Sequence, residues 1–238
     1  MKKVLLLLVA VCLLIGCGQS GTNNDNAAQG ASSEQNVESN ETSGATDSLQ
    51  TAKEAYAGLG VVATGADLVM TSVYKAWAYS IDDAQDEHYR YMSMFAKDVG
   101  LDNDKAEKAY YEVIKGTLYD RYKEMYDNGD ILMYDGMMRG LTDASIVIDT
   151  VMHYYQNDGY LDLLSESLAE SKEKIQKVSQ ENPNASYLQD LKDYYTKVEL
   201  YKDFALSPSG SFIELSSRME EFRTDIKEYQ SKLSFDLE

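Results

Sequence analysis

Apolar residues near the C-terminus follow a spacing that a helix brings onto one face. Between residues 212 and 233 large apolar side chains recur at alternating steps of three and four, with charged residues filling the positions between them. They are Phe212, Leu215, Met219, Phe222, Ile226, Tyr229 and Leu233. An a/d pattern sustained over three heptads predicts a long helix that packs against other helices.

The same helical period extends upstream through most of the chain. It covers Leu49–Ser80, a segment beginning near Asp102, Ile131–Gln156, and the stretches 161–178 and 188–205. No segment of alternating apolar and polar residues indicates a strand. The two prolines, Pro183 and Pro208, stand where helical patterns stop, because proline inside a helix costs about 3 kcal/mol. We therefore expect an all-α fold, an antiparallel bundle of six or seven helices with short connections.

The end of the first helical segment has two interpretations. Ser80-Ile81-Asp82-Asp83 has the form of a capping box, in which Ser80 would cap a new helix. Alternatively, the first helix continues through Ser80. Further along, Asp102-Asn103-Asp104 begins like a calcium loop, but the pattern then fails, so we interpret it as a helix N-terminus.

The N-terminus has the layout of a secretory signal. Met1-Lys2-Lys3 is basic, and the apolar run from Val4 to Ile15 is too short for an ordinary membrane span. Its end, Leu14-Ile15-Gly16-Cys17, closely resembles the lipobox of bacterial lipoproteins. The resemblance implies that residues 1–16 are removed and that Cys17 becomes the first residue, carrying a diacylglycerol thioether. Two acyl chains provide a lasting membrane anchor, because each buried methylene contributes about 0.8 kcal/mol.

The segment after the lipobox is polar and lacks aromatic residues. Residues 18–48 contain no lysine or arginine, and Val37 is their only large apolar residue. Such a composition buries too little surface to offset its ordering entropy. We expect residues 17–48 to form a lipidated, flexible tether spanning about 30 Å, and residues 49–238 to form the helical domain. Long tethers of this kind resemble those of Gram-positive lipoproteins, which favours an extracytoplasmic, membrane-anchored location.

Charge and cysteine content limit the chemistry of the domain. The chain has 40 acidic and 22 basic residues, a net charge of −18, and removal of Lys2 and Lys3 with the signal makes it about −20. Nucleic acid requires a basic patch, which is missing, so no nucleic-acid partner is expected. The only cysteines are Cys12, within the signal, and Cys17. The domain can therefore form neither a disulfide nor a cysteine metal site.

The sequence offers one candidate pocket. Gly136 and Gly140 recur at a four-residue step around Arg139, and two glycines in a helix indicate a geometric reason, because each costs nearly 1 kcal/mol relative to alanine. The ridge permits either close helix packing, which we favour, or a ligand pocket that includes Asp149 and His153. For close packing, Gly58, Gly60 and Gly65 would provide the matching surface.

The histidines and tyrosines give weaker indications. The two histidines, His88 and His153, lack the acidic partners of a di-iron motif, so we expect no metal site and no cofactor. The 19 tyrosines suit either the core or a ligand-binding face, and the core is the simpler interpretation.

Three functions follow in order of preference. The first is a non-enzymatic lipoprotein module that binds a protein partner at the cell envelope. The second is a sensor of a small ligand or metal with a pocket near Gly136 and Gly140. The third is an enzyme, which we do not expect because no catalytic constellation can be assembled from two histidines and no free thiol.

Overall fold

The computed structural model describes residues 38–82, 92–117, 141 and 143–237. These residues form seven α-helices and, among themselves, no strand. The helices are α1 (Glu38–Asp82), α2 (Met92–Val99), α3 (Asn103–Thr117), α4 (Ala144–Asn157), α5 (Tyr160–Glu181), α6 (Leu188–Leu206) and α7 (Phe212–Asp236). The prediction of an all-α bundle of six or seven helices is confirmed for the described part of the chain.

Helix α1 is the central element of the bundle. It contacts α2, α4, α5, α6 and α7, and its apolar side chains Leu59, Val62 and Val73 are fully buried. The helix begins at Glu38, eleven residues before the predicted start at Leu49. The predicted boundary at residue 49 nevertheless lies beside the first residue described as buried, Ser48.

The first helix continues through Ser80 and ends at Asp82. The hydroxyl of Ser80 donates to the carbonyl oxygen of Trp77 at 2.7 Å, one turn back within the same helix. The interpretation of Ser80 as an N-cap is therefore wrong, and the alternative of a continuing helix is correct. A serine inside a helix can satisfy its hydroxyl in this way without ending the helix.

Helices α1 and α5 run antiparallel and approach closely at two glycines. A Cβ atom on Gly58 would overlap the Ser171 hydroxyl, and one on Gly65 would overlap the side chain of Leu164. Gly58 and Gly65 therefore face α5. Gly136 and Gly140, which the sequence suggests as their opposing surface, lie outside the described residues. Gly60, the third glycine, has no heavy atom within 4 Å of the position of a Cβ.

The last three helices alternate in direction around α1. Tyr56 and Asp67 of α1 meet Tyr194 and Tyr201 of α6, so these two helices are parallel. Helix α7 runs the opposite way, because Tyr56 donates to the Gln230 carbonyl near its end whereas Tyr74 stacks on Phe212 at its start. The predicted α7 seam is confirmed. Leu215, Met219, Ile226 and Leu233 are buried, and Phe222 and Tyr229 are half-buried.

Polar residues define several helix starts. Ser211 and Glu214 form a capping box at the start of α7, after a turn in which Gly210 has a φ of 110°. Asp143 caps α4 through the backbone N–H of Ser145, so a helix begins at Ala144 and the predicted continuous helix over Ile131–Gln156 is wrong at this point. Asp102 accepts from the N–H of Lys105 at 3.1 Å, which confirms the interpretation of that segment as a helix N-terminus. These caps satisfy N–H groups that have no partner within the helix.

One stretch of the described residues, Thr46–Asp82, is long and apolar enough to cross a membrane. Half of its apolar window is buried inside the bundle, however. The central helix of a helical bundle has the same length and composition, so this feature is weak support for a membrane span.

Candidate functional site

Four of the predicted functional residues lie outside the described part of the chain. They are Cys17, the predicted lipid attachment point, and Gly136, Arg139 and Gly140 of the predicted pocket. His88 also lies outside the described residues. The lipid anchor and the glycine-lined pocket therefore stay predictions from the sequence.

The remaining two predicted pocket residues are placed on α4. Asp149 and His153 are both exposed, and no hydrogen bond or ion pair joins them. Loss of hydration near the helix surface raises the pKa of Asp149, and the nearby His153 opposes that rise. In the described ranges, no three metal-ligating side chains come together. Asp149 and His153 thus lie one turn apart on an exposed face of α4.

A polar network that the sequence does not predict connects α1, α6 and α7. Arg223 of α7 donates to Asp67 of α1 through Nε at 2.6 Å and through Nη2 at 3.3 Å. Nη2 also donates to the Thr71 hydroxyl at 2.9 Å, and Nη1 donates to Glu220 at 2.6 Å. Tyr201 of α6 donates to Asp67 Oδ1 at 2.6 Å, and this is the oxygen that also accepts from Arg223 Nε. The network ties three helices together, with Tyr201 buried, Arg223 and Asp67 partly exposed and Glu220 at the surface.

The network has little free capacity for chemistry. Asp67 Oδ1 already accepts from both Arg223 and Tyr201. Burial, reinforced by the bond to Asp67, raises the pKa of Tyr201, so its hydroxyl stays protonated. The hydrogen bonds to Asp67 and Glu220 raise the pKa of Arg223 as well. A guanidinium held by a fork of charge-assisted bonds positions helices and is not available as an acid or base.

The core interpretation is confirmed for several of the tyrosines. Tyr110, Tyr194 and Tyr201 are at most 1 % exposed, and the hydroxyls of Tyr155 and Ser72 lie 3.0 Å apart in the interior. Tyr155 also packs against Tyr160, with ring centroids 5.4 Å apart. The rings add apolar area to the core, and the hydroxyls of Tyr155, Tyr194 and Tyr201 have polar partners in Ser72, Gln230 and Asp67.

Because burial raises the pKa of these tyrosines, we expect the protein to unfold at high pH. Burial raises the pKa of Tyr194 from 10 to about 12. Because the unfolded chain ionises near its ordinary pKa, the stabilisation is complete below pH 10 and is lost as the pH rises toward about 12. Circular dichroism against pH should show loss of helix in this window. Tyr194→Phe should move the midpoint to higher pH, and an unchanged midpoint would contradict this assignment.

The central helix leaves one uncharged stripe in solvent. No charged residue occurs between Ala55 and Ala66. Within and just beyond this stretch, Ala57, Thr64 and Leu68 are exposed and Val61 is half-buried. Their spacing places them on one face of the helix over about 16 Å. We call these four residues the α1 stripe.

Comparisons of the chain with protein-family models, curated proteins and solved structures gave no match.

Proposed function

We propose that this protein is a lipid-anchored lipoprotein on the extracytoplasmic face of the membrane, and that its helical domain is a non-enzymatic module that binds a protein partner. The lipobox resemblance at Leu14–Cys17 supports the anchor. The observation that carries the binding role is the α1 stripe, an exposed uncharged surface on an otherwise strongly acidic chain.

The stripe has the composition of an interface centre. Charged residues are depleted at the centres of protein interfaces, where apolar groups become fully desolvated. Leu68, the largest side chain of the stripe, is 49 % exposed to solvent. The carboxylate nearest in sequence, Asp67, is engaged by Arg223 and does not interrupt the stripe. The acidic surroundings favour a partner with a basic rim, because opposite charges speed and orient docking.

Photo-crosslinking of the full lipidated chain tests the binding role. A photoreactive residue at Leu68 should capture one defined protein in intact cells. The matched control is Leu200 of α6, which has the same residue type and is 50 % exposed. Leu68→Glu should abolish the capture by the photoreactive residue placed at Val61. Equal capture from positions 68 and 200, or none from either, would refute the proposed interface.

The anchor has a separate test. Cys17→Ser should eliminate labelling by radioactive palmitate and move the protein from the membrane fraction to the soluble fraction. Membrane association that persists in Cys17→Ser would contradict lipid anchoring while leaving the α1 stripe to be judged by crosslinking.

A further inference from the structure

An open groove between α5 and α6 has a positively charged lining, whereas the chain as a whole has a net charge of −18. It has a volume of about 480 Å³ and is lined by Lys172, Gln176 and Ser179 of α5 and by Lys192 and Tyr195 of α6, with Ile175 beneath them. Among the described residues no acidic side chain lines it, although Glu199 accepts from the hydroxyl of the lining residue Tyr195 at 2.7 Å. In a chain with 40 acidic and 22 basic residues, a groove with two lysines and no carboxylate is a local reversal of the overall charge. We call it the α5–α6 groove.

The two lysines approach from opposite walls. The ammonium group of Lys172 lies over the ring of Tyr195, 5.6 Å from its centroid. Lys192 is on the other wall, α6, three residues before Tyr195. The two residues are therefore about one helical turn apart, roughly 5 Å along the axis of α6. Their neighbours Lys174 and Lys177 are paired with Glu54 and Glu181. Within the described residues, neither Lys172 nor Lys192 is paired with a carboxylate.

Ser179 supplies a second, independent feature. Its hydroxyl oxygen is buried and has no hydrogen-bond partner. Other serines and threonines in these helices, Ser171 and Thr196 among them, donate to the carbonyl four residues back. Ser179 does not make that bond, so its hydroxyl is left with a donor and two acceptor positions to offer. Ser179 also lines the groove, so this hydroxyl is the unpartnered polar group closest at hand for a bound ligand.

We propose that the α5–α6 groove binds a small organic anion. Its carboxylate or phosphate lies between Lys172 and Lys192 and accepts from the Ser179 hydroxyl, and its apolar part covers Ile175 beside Tyr195. The volume falls within the range of about 300–1,000 Å³ typical of ligand sites. The negative charge of the whole chain does not prevent binding, because charges beyond about 8 Å are largely screened at physiological ionic strength. The site is independent of the lipid anchor and of the α1 stripe.

Calorimetric titration of the full-length chain tests this site with three probes: phenyl phosphate, benzoate and benzyl alcohol. The two anions should bind saturably and the alcohol should not. The stronger of the two anions identifies which head group the lysines prefer. Each of Lys172→Gln and Lys192→Gln should weaken binding about tenfold, the loss expected for one charge-assisted contact. Lys177→Gln is the matched control, since it removes the same charge from α5 outside the groove and should leave binding within about twofold.

Ser179→Ala separates binding from folding. Removing an unpartnered buried hydroxyl should leave the urea midpoint unchanged or raise it slightly, while weakening binding of the anion several-fold. The proposal is overturned if neither anion binds below about 10 mM, a weak limit for a ligand of this size. Equal weakening by Lys177→Gln and the groove variants would also overturn it, because the effect would then reflect net charge alone.

Discussion

Gly65→Ala should destabilise the bundle by about 1–2 kcal/mol, although the same change in an exposed helix is stabilising. An added Cβ would overlap the side chain of Leu164, which is 2 % exposed, and would lie 3.0 Å from the Tyr160 hydroxyl. Overpacking in a filled core costs typically 1–3 kcal/mol, which exceeds the gain in helix propensity. Urea denaturation followed by circular dichroism measures the difference.

Gly60→Ala is the matched control in the same helix. A Cβ at this position has open space around it, so the variant should be more stable by up to about 1 kcal/mol. Combining Gly65→Ala with Leu164→Val should recover part of the loss, because the smaller side chain makes room for the new methyl group. If Gly65→Ala were as stabilising as Gly60→Ala, the close approach of α1 and α5 would be wrong.

Arg223→Met should destabilise the protein by about 2 kcal/mol, less than the roughly 3–5 kcal/mol seen when one partner of a fully buried pair is removed. The expected loss of stability is smaller because solvent weakens this ion pair: the side chains of Arg223 and Asp67 are 30 % and 37 % exposed. The loss would still be large for a single ion pair, because Asp67 keeps only the bond from Tyr201 and Thr71 loses its donor. Chemical denaturation at neutral pH measures the change.

The control for that variant is Lys105→Met. Lys105 and Asp158 are also 2.6 Å apart, but their side chains are 50 % and 48 % exposed. An exposed pair contributes about 0–1 kcal/mol, so this variant should lie near the wild type. In a double-mutant cycle, Asp67→Asn with Arg223→Met should cost less than the sum of the single changes. Strict additivity would show that the two residues do not act together.

The sequence predicts the helices of this bundle better than their mutual arrangement. The α7 seam is visible because its residues recur locally, at steps of three and four, and burial follows that period. Ser80 shows the limit of local patterns, since the same residues suit a cap and a helix interior, and packing of α1 decides between them. The glycines of α1 signal a close approach, but the sequence does not say that the approaching helix is α5.

Long-range polar contacts escape sequence analysis for a related reason. Asp67 and Arg223 are 156 positions apart, and nothing near either residue indicates the other. The α5–α6 groove likewise depends on the register between two helices, which brings Lys172 onto Tyr195. Asp149 and His153, chosen because a four-residue step aligns them on one helix, are aligned but exposed. The other three predicted members of that pocket, Gly136, Arg139 and Gly140, lie outside the described residues.

The antiparallel pairing of α1 with α7 has a mechanical consequence. Tyr56 meets Gln230 and Tyr74 meets Phe212, so the start of α1 and the end of α7 lie at the same end of the bundle. Tension applied between the two ends of the domain would then load the α1–α7 contacts one after another, as in opening a zipper, rather than all at once in shear. Loading in this order requires a smaller peak force than breaking the same contacts together in shear.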